Sequence, residues 1–412
     1  MSCSGVACHG RPVEGLVPAS GWSTAGKDED RHRWRSSYTI WRTYDPHASA
    51  HSVLGNDLSK QIEERLAKPG DAVRDARSDA RCLGCHANPA LANDAQSRAF
   101  WAEGVGCEAC HGNAGRWVRD HAGWPAGPGH SEHCDATGMP RLSDPAVRAE
   151  VCAGCHVGAP GRDVNHDLIA AGHPRLNFDY ATYLRALPPH WAEKDRDVSP
   201  PALRPATDEF RHWLAGRAAA TAAGYRLLVD RAARGPWPEL AEFDCYACHH
   251  SLTGEQRPPL GHRPGTLVWN EPPLAAQLGG PELGYPRAAL DRPLHAEHSQ
   301  THAARVADHW RKLADRWATD PLRPADVFMA LSRVKPRRWD EACHLFYAVL
   351  ALDRARDPSS PRPEPTDLAR VRAVLQLPRT ADGVRFDSPA DLPRDELSEL
   401  FANLFRARAG KE

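Results

Sequence analysis

Methionine is nearly absent from this 412-residue chain, with only Met1, Met139 and Met329. That excludes any extensive use of thioether metal ligands. Apolar residues make up 41% and the mean hydropathy is −0.57, low for a water-soluble core of this size. No stretch approaches the roughly 18 apolar residues of a membrane span. Net charge is −1, so no overall field steers the protein toward nucleic acid or an acidic surface, and any docking patch must be local. Met1 runs almost straight into Cys3 with no charged and apolar leader between them.

Proline, glycine and histidine are plentiful, at 36, 31 and 22 residues, alongside 12 cysteines. The prolines and glycines predict much irregular backbone. The cysteines are patterned. Cys-x-x-Cys-His occurs at Cys82/Cys85/His86, Cys107/Cys110/His111, Cys152/Cys155/His156 and Cys245/Cys248/His249. At this composition about 0.02 chance matches are expected over the whole chain, so the four are not accidental. A fifth site, Cys3-Ser-Gly-Val-Ala-Cys8-His9, keeps the Cys-His end and widens the gap to four residues. Its alternative reading is a terminal segment with two surface cysteines.

Paired cysteines also hold zinc or iron-sulfur clusters, and the first two strict motifs are spaced almost as in a zinc ribbon. Neither metal needs a histidine straight after every second cysteine. Covalent haem does, because two thiols add to the vinyl groups and the adjacent imidazole becomes the proximal iron ligand. The expected cofactor is therefore haem c, about five copies, on Cys3, Cys8, Cys82, Cys85, Cys107, Cys110, Cys152, Cys155, Cys245 and Cys248. The proximal ligands are His9, His86, His111, His156 and His249. Haem also supplies the apolar volume that the composition lacks. Cys134 and Cys343 remain outside the motifs, and Cys343-His344, lacking a first cysteine, reads as core packing.

Haem attachment of this kind takes place outside the cytoplasmic membrane. The expected location is periplasmic or outer-surface, with the sequence either starting downstream of its export signal or representing a mature form. With three methionines, Met/His ligation is unavailable to most of the irons. Five proximal histidines leave 17 others, so bis-histidine ligation and low potentials follow by elimination.

Among those 17, His47 and His51 stand at an i,i+4 offset, and His47 is preferred. His121 lies beside Trp117, ten residues past a proximal histidine. His166 and His173 are seven apart, about 10.5 Å along a helix, enough to serve two irons, although Gly172 and Pro174 put His173 at the helix end. His250 follows His249 directly and must point away from that histidine's own haem. For each, an ordinary polar contact is the alternative. His295, His298, His302 and His309 form one stripe of a helix, read as a solvated face or as the source of one further ligand.

The segments SYTIWRTYDPHASAHSVL from Ser37, GVGCEACHGNAGRWVRDH ending at His121, VCAGCHVGAPGRDVNHDLIAAGHPRLNFDY ending at Tyr180 and FDCYACHH ending at His250 resemble the multihaem cytochromes of the cytochrome c-554 type. The resemblance spans most of the first 250 residues. It implies electron transfer through closely stacked haems, mostly with two histidine ligands each, and it supports His47 and His121. Redox proteins of a respiratory chain are the implied partners, with no nucleic acid and no membrane span.

The expected fold is mainly α with much irregular coil wrapped around stacked haems, plus a C-terminal helical region. Residues 1–262 form the haem domain, interrupted by a long helix starting near Thr207-Asp208. Residues 263–292 read as a Pro/Gly-rich linker and 293–412 as the helical region. Its helices are expected over Leu294–Trp317, Ala325–Val334, Trp339–Asp353, Thr366–Leu377 and Asp395–Arg408. An oxidoreductase acting on a small nitrogen or sulfur compound at one five-coordinate haem is the alternative function. Every proximal residue is histidine and Cys-x-x-Cys-Lys is absent, which favours the carrier.

Overall fold

The computed structural model describes residues 3–5, 8–12, 33–125, 128–188, 190, 207–243, 245, 248–249, 296–336, 338–356, 366–377 and 393–409. Among these the fold is mainly helical with coil, and the only β pairing is an isolated bridge between Ala159 and Arg162. The chain divides into two units, residues 1–143 with 183–204 and residues 144–182 with 205–412. Three cysteine motifs fall in the first unit and two in the second. The expected boundaries near 262 and 292, and the linker between them, lie outside the described residues.

The first unit is built from short turns, and the sequence shows why. Asp45, Asn56, Asp75, Asp79, Asn88, Asp94 and Asn113 each accept a backbone N–H two or three residues ahead, starting a helical turn at every site. Most of these turns end within four residues, so the chain folds as linked caps rather than long rods. The core beneath them is small: Leu54, Ala76, Leu83, Ala87, Ala92 and Trp101, with Cys82 packed against it.

The second unit is made of long helices. Thr207–Arg234 buries Ala215, Ala218, Ala219, Ala222 and Ala223 along with Phe210, Trp213 and Leu214. That run of small residues lets the helix lie close along Ala296–Thr319, which presents Ala303, Val306, Ala307, Trp310 and Ala314. Pro145–His156 and Trp339–Arg356 pack on the same long helix. Pro324–Leu331, Thr366–Val374 and Arg394–Ala409 complete the bundle, within a few residues of the expected helices. Arg408 holds its end together, reaching Asp353 at 2.6 Å and Asp367 at 2.8 Å. Arg231 does likewise for the loops, bridging Asp163 and the buried Glu242.

Candidate haem-binding site

Three of the strict motifs occupy short helices or helix ends. Cys82–His86 closes the helix Ala80–His86, Cys107–His111 is itself a helix, and Cys152–His156 closes Pro145–His156. Helical spacing puts cysteines three apart on one face, with the histidine next to the second. Asp79 and Asp144 cap two of these helices through side-chain bonds to Arg81 and Ala146. The third ends at Gly112, whose φ of +76° suits glycine; a Cβ there would stand 3.0 Å from the Gly138 carbonyl and from Pro140. All ten motif cysteines are free of disulfides, so both sulfurs of each pair are available for thioether bonds.

In the first unit, the His9 and His121 rings lie 6.2 Å apart at 22° between planes. His111 and His190 lie 6.4 Å apart at 69°. In the second unit, His249 and His166 lie 6.4 Å apart at 30°. A metal–nitrogen bond of about 2.0–2.1 Å plus about 1.1 Å to the ring centre places two trans imidazoles on one metal about 6 Å apart. Three motif histidines therefore each have a second imidazole at about the separation that a shared iron would require. His190 escaped the sequence reading: it follows Pro188-Pro189 in a segment with no motif, and only its place opposite His111 marks it.

The hydrogen bonds agree with that use. His9 Nδ1 donates to the Trp34 carbonyl at 2.6 Å, His86 Nδ1 to Ala50 at 2.9 Å, His121 Nδ1 to Val118 at 3.0 Å and His173 Nδ1 to Pro174 at 2.8 Å. His47 Nδ1 donates to the buried carboxylate of Asp45 at 2.8 Å. Pinning Nδ1 in this way fixes the ring and makes Nε2 the unprotonated, basic nitrogen. His51 is the opposite case, with Nε2 bonded to the Arg77 carbonyl at 3.2 Å. The expected shared helical face of His47 and His51 is absent: His47 lies in a 3-10 turn over Pro46–Ser49, and His51 precedes another over Ser52–Gly55. Gly104 locks the first turn, since a Cβ there would come within 2.5 Å of the His47 carbonyl, which accepts from Val105 N–H.

Burial holds three of these imidazoles, His86, His111 and His190, toward the neutral form that can bind a metal. It pushes His111 down to about 4, with His190 and His9 adding to the effect. It also lowers His86 and His190. Around the second motif, burial and the carboxylates of Glu63 and Asp79 push the Cys82 thiol up to about 12, while Arg81 bridges those two carboxylates.

In the second unit His166 opens the helix His166–Ala171, its backbone N–H held by Glu239 at 2.9 Å. Gly172, left-handed, ends that helix, and His173 follows beyond it. His156, of the Cys152/Cys155/His156 motif, stacks on Phe178 at 5.3 Å and lines a cleft. Of the C-terminal stripe, His298 is exposed, His302 is buried with its ring 4.3 Å from that of His298, and His309 is half-buried. His250 and His295 lie outside the described residues. Haem bound at these motifs supplies an iron that takes up and releases one electron between its ferric and ferrous states.

No helix among the described residues is long and apolar enough to cross a membrane. No curated protein and no solved structure matches the chain. A family model described as cytochrome c554 and c-prime matches residues 30–112, the segment that carries His47, Cys82/Cys85/His86 and Cys107/Cys110/His111. On that segment, about a fifth of the chain, the protein is similar to the cytochrome c554 and c-prime family, a likeness that supports a c-type cytochrome with covalently bound haem.

Proposed function

We propose that the protein is an exported electron carrier with five covalent haems, most of them ligated by two histidines. The observation that carries this reading is the set of three ring pairs at 6.2–6.4 Å, His9/His121, His111/His190 and His249/His166. Iron filled on both axial sides has no open position for a substrate, so such a haem exchanges electrons and does little else. His47 and His173, each with Nδ1 pinned, are further ligands in this reading, and His250 keeps the role expected for it. The attachment chemistry places the protein outside the cytoplasmic membrane. Its partners are redox proteins, met through local patches because the net charge is −1.

The test is an electron paramagnetic resonance and optical survey of the exported, haem-loaded protein with a stepwise redox titration. Low-spin haems with low, separated potentials are expected. A haem that rapidly binds cyanide or nitric oxide, together with nitrite or hydroxylamine reduction at about 1 to 1,000 per second, overturns the carrier reading in favour of an oxidoreductase.

A further inference from the structure

The cleft beside His156 contains a second histidine. His344, on the helix Trp339–Arg356, lines it together with His156 and the apolar side chains of Val164, Ile169, Leu176, Phe178 and Leu227. His344 Nδ1 is sealed from water and has no hydrogen-bond partner. Arg217 lines the same cleft. It is buried, its Nη2 donates to the Phe178 carbonyl at 3.1 Å, and its Nε and Nη1 have no partner. A sealed imidazole nitrogen and a buried guanidinium with unmet bonds lining one cavity are costly unless something fills it.

Haem satisfies both and matches the walls. Its apolar rim suits the aliphatic and aromatic part of a lining shared with Asn177, Thr221, Arg231 and Asp340, its carboxylates suit the unmet Nε and Nη1 of Arg217, and its iron would accept a second imidazole.

We propose that His344 is the distal ligand of the haem carried by Cys152, Cys155 and His156, and that Arg217 binds a carboxylate of that haem. The assignment rests on reading Cys152-x-x-Cys155-His156 as a haem site. It makes the C-terminal helices part of a haem pocket.

The test uses the exported holoprotein with His344→Ala and His344→Met, peptide mapping for haem on Cys152 and Cys155, spin-state spectroscopy and redox titration. A Cys152/Cys155 peptide without haem fails the functional reading itself. With haem present, His344→Ala is expected to turn one haem from low-spin to high-spin, and added imidazole to restore it. An unchanged spectrum overturns the assignment and leaves the functional reading standing. Where the alanine variant does not accumulate, His344→Met decides, since it fills similar volume and offers a thioether. One haem then stays low-spin with a raised potential. Unaltered potentials in that variant, or a high-spin Cys152/Cys155 haem in the unmodified protein, sink the proposal.

Discussion

The imidazoles of His9 and His121 face each other 6.2 Å apart and 22° from parallel, each with Nδ1 tied to a backbone carbonyl. Replacing His121 by Ala is expected to open one iron. One low-spin signal converts to high-spin and that haem's potential rises, because the lost imidazole stabilised the ferric state. His51→Ala, whose Nε2 is already bonded to Arg77, is expected to leave every spin state unchanged. A high-spin signal from the His51 variant would reverse the choice between His47 and His51.

Five haem increments are expected in the intact mass of the exported protein. Cys3→Ala combined with Cys8→Ala is expected to remove one and leave the four strict motifs loaded. Four increments in the unmodified protein would strike Cys3, Cys8 and His9 from the site, and bound zinc in place of haem would end the account.

Asp45 makes the His47 ring a stronger donor by accepting its Nδ1 proton from a buried position. Asp45→Asn is expected to raise the potential of one haem without changing the haem count, because a less basic imidazole stabilises ferric iron less well. Potentials that all stay fixed would show that His47 is an ordinary surface histidine.

Gly112→Ala is expected to destabilise the first unit by about 1–3 kcal/mol, through its positive φ and the contacts at Gly138 and Pro140. The Cys107/Cys110/His111 helix ends there, so haem on that motif should be the first lost on heating. Thermal unfolding followed by the Soret band of holoprotein tests this.

Arg408→Met leaves Asp353 and Asp367 without their shared cation and is expected to cost about 2–4 kcal/mol, discounted because Asp367 is partly exposed. Despite the opposing effect of burial, the bond from Arg408 holds the Asp367 carboxyl below its ordinary value. Its contribution is therefore present above the unfolded pKa, about 3.9, and disappears as pH falls through the lower folded value. Denaturant unfolding of wild type and variant should differ at pH 7 and converge in strong acid. A constant difference across that range would show that the pair does not act through ionisation.

Much of the candidate site is legible in the sequence because haem attachment is local chemistry. Two thiols and one imidazole within five residues form the reactive unit, so Cys82, Cys85 and His86 need no fold to be recognised. The C-terminal helices were equally readable, since Trp339–Arg356 and Arg394–Ala409 follow apolar spacing at three and four residues. The run of Asx-capped turns was visible only as abundant proline and glycine, because a capping aspartate looks like any other until its backbone bond is seen.

Which distal histidine meets which motif is a tertiary matter. His190 lies in a proline-rich stretch, His344 follows a lone cysteine, and neither differs locally from a packed or solvated histidine. An axial ligand is defined by a position in space about 6 Å across an iron, and residues far apart in sequence reach that position only when the chain closes around the cofactor. The sequence by itself determined where haem is attached, because covalent bonds are made by neighbours. The tertiary structure decided which histidines stand opposite one another, because that pairing is made by whatever the fold brings together.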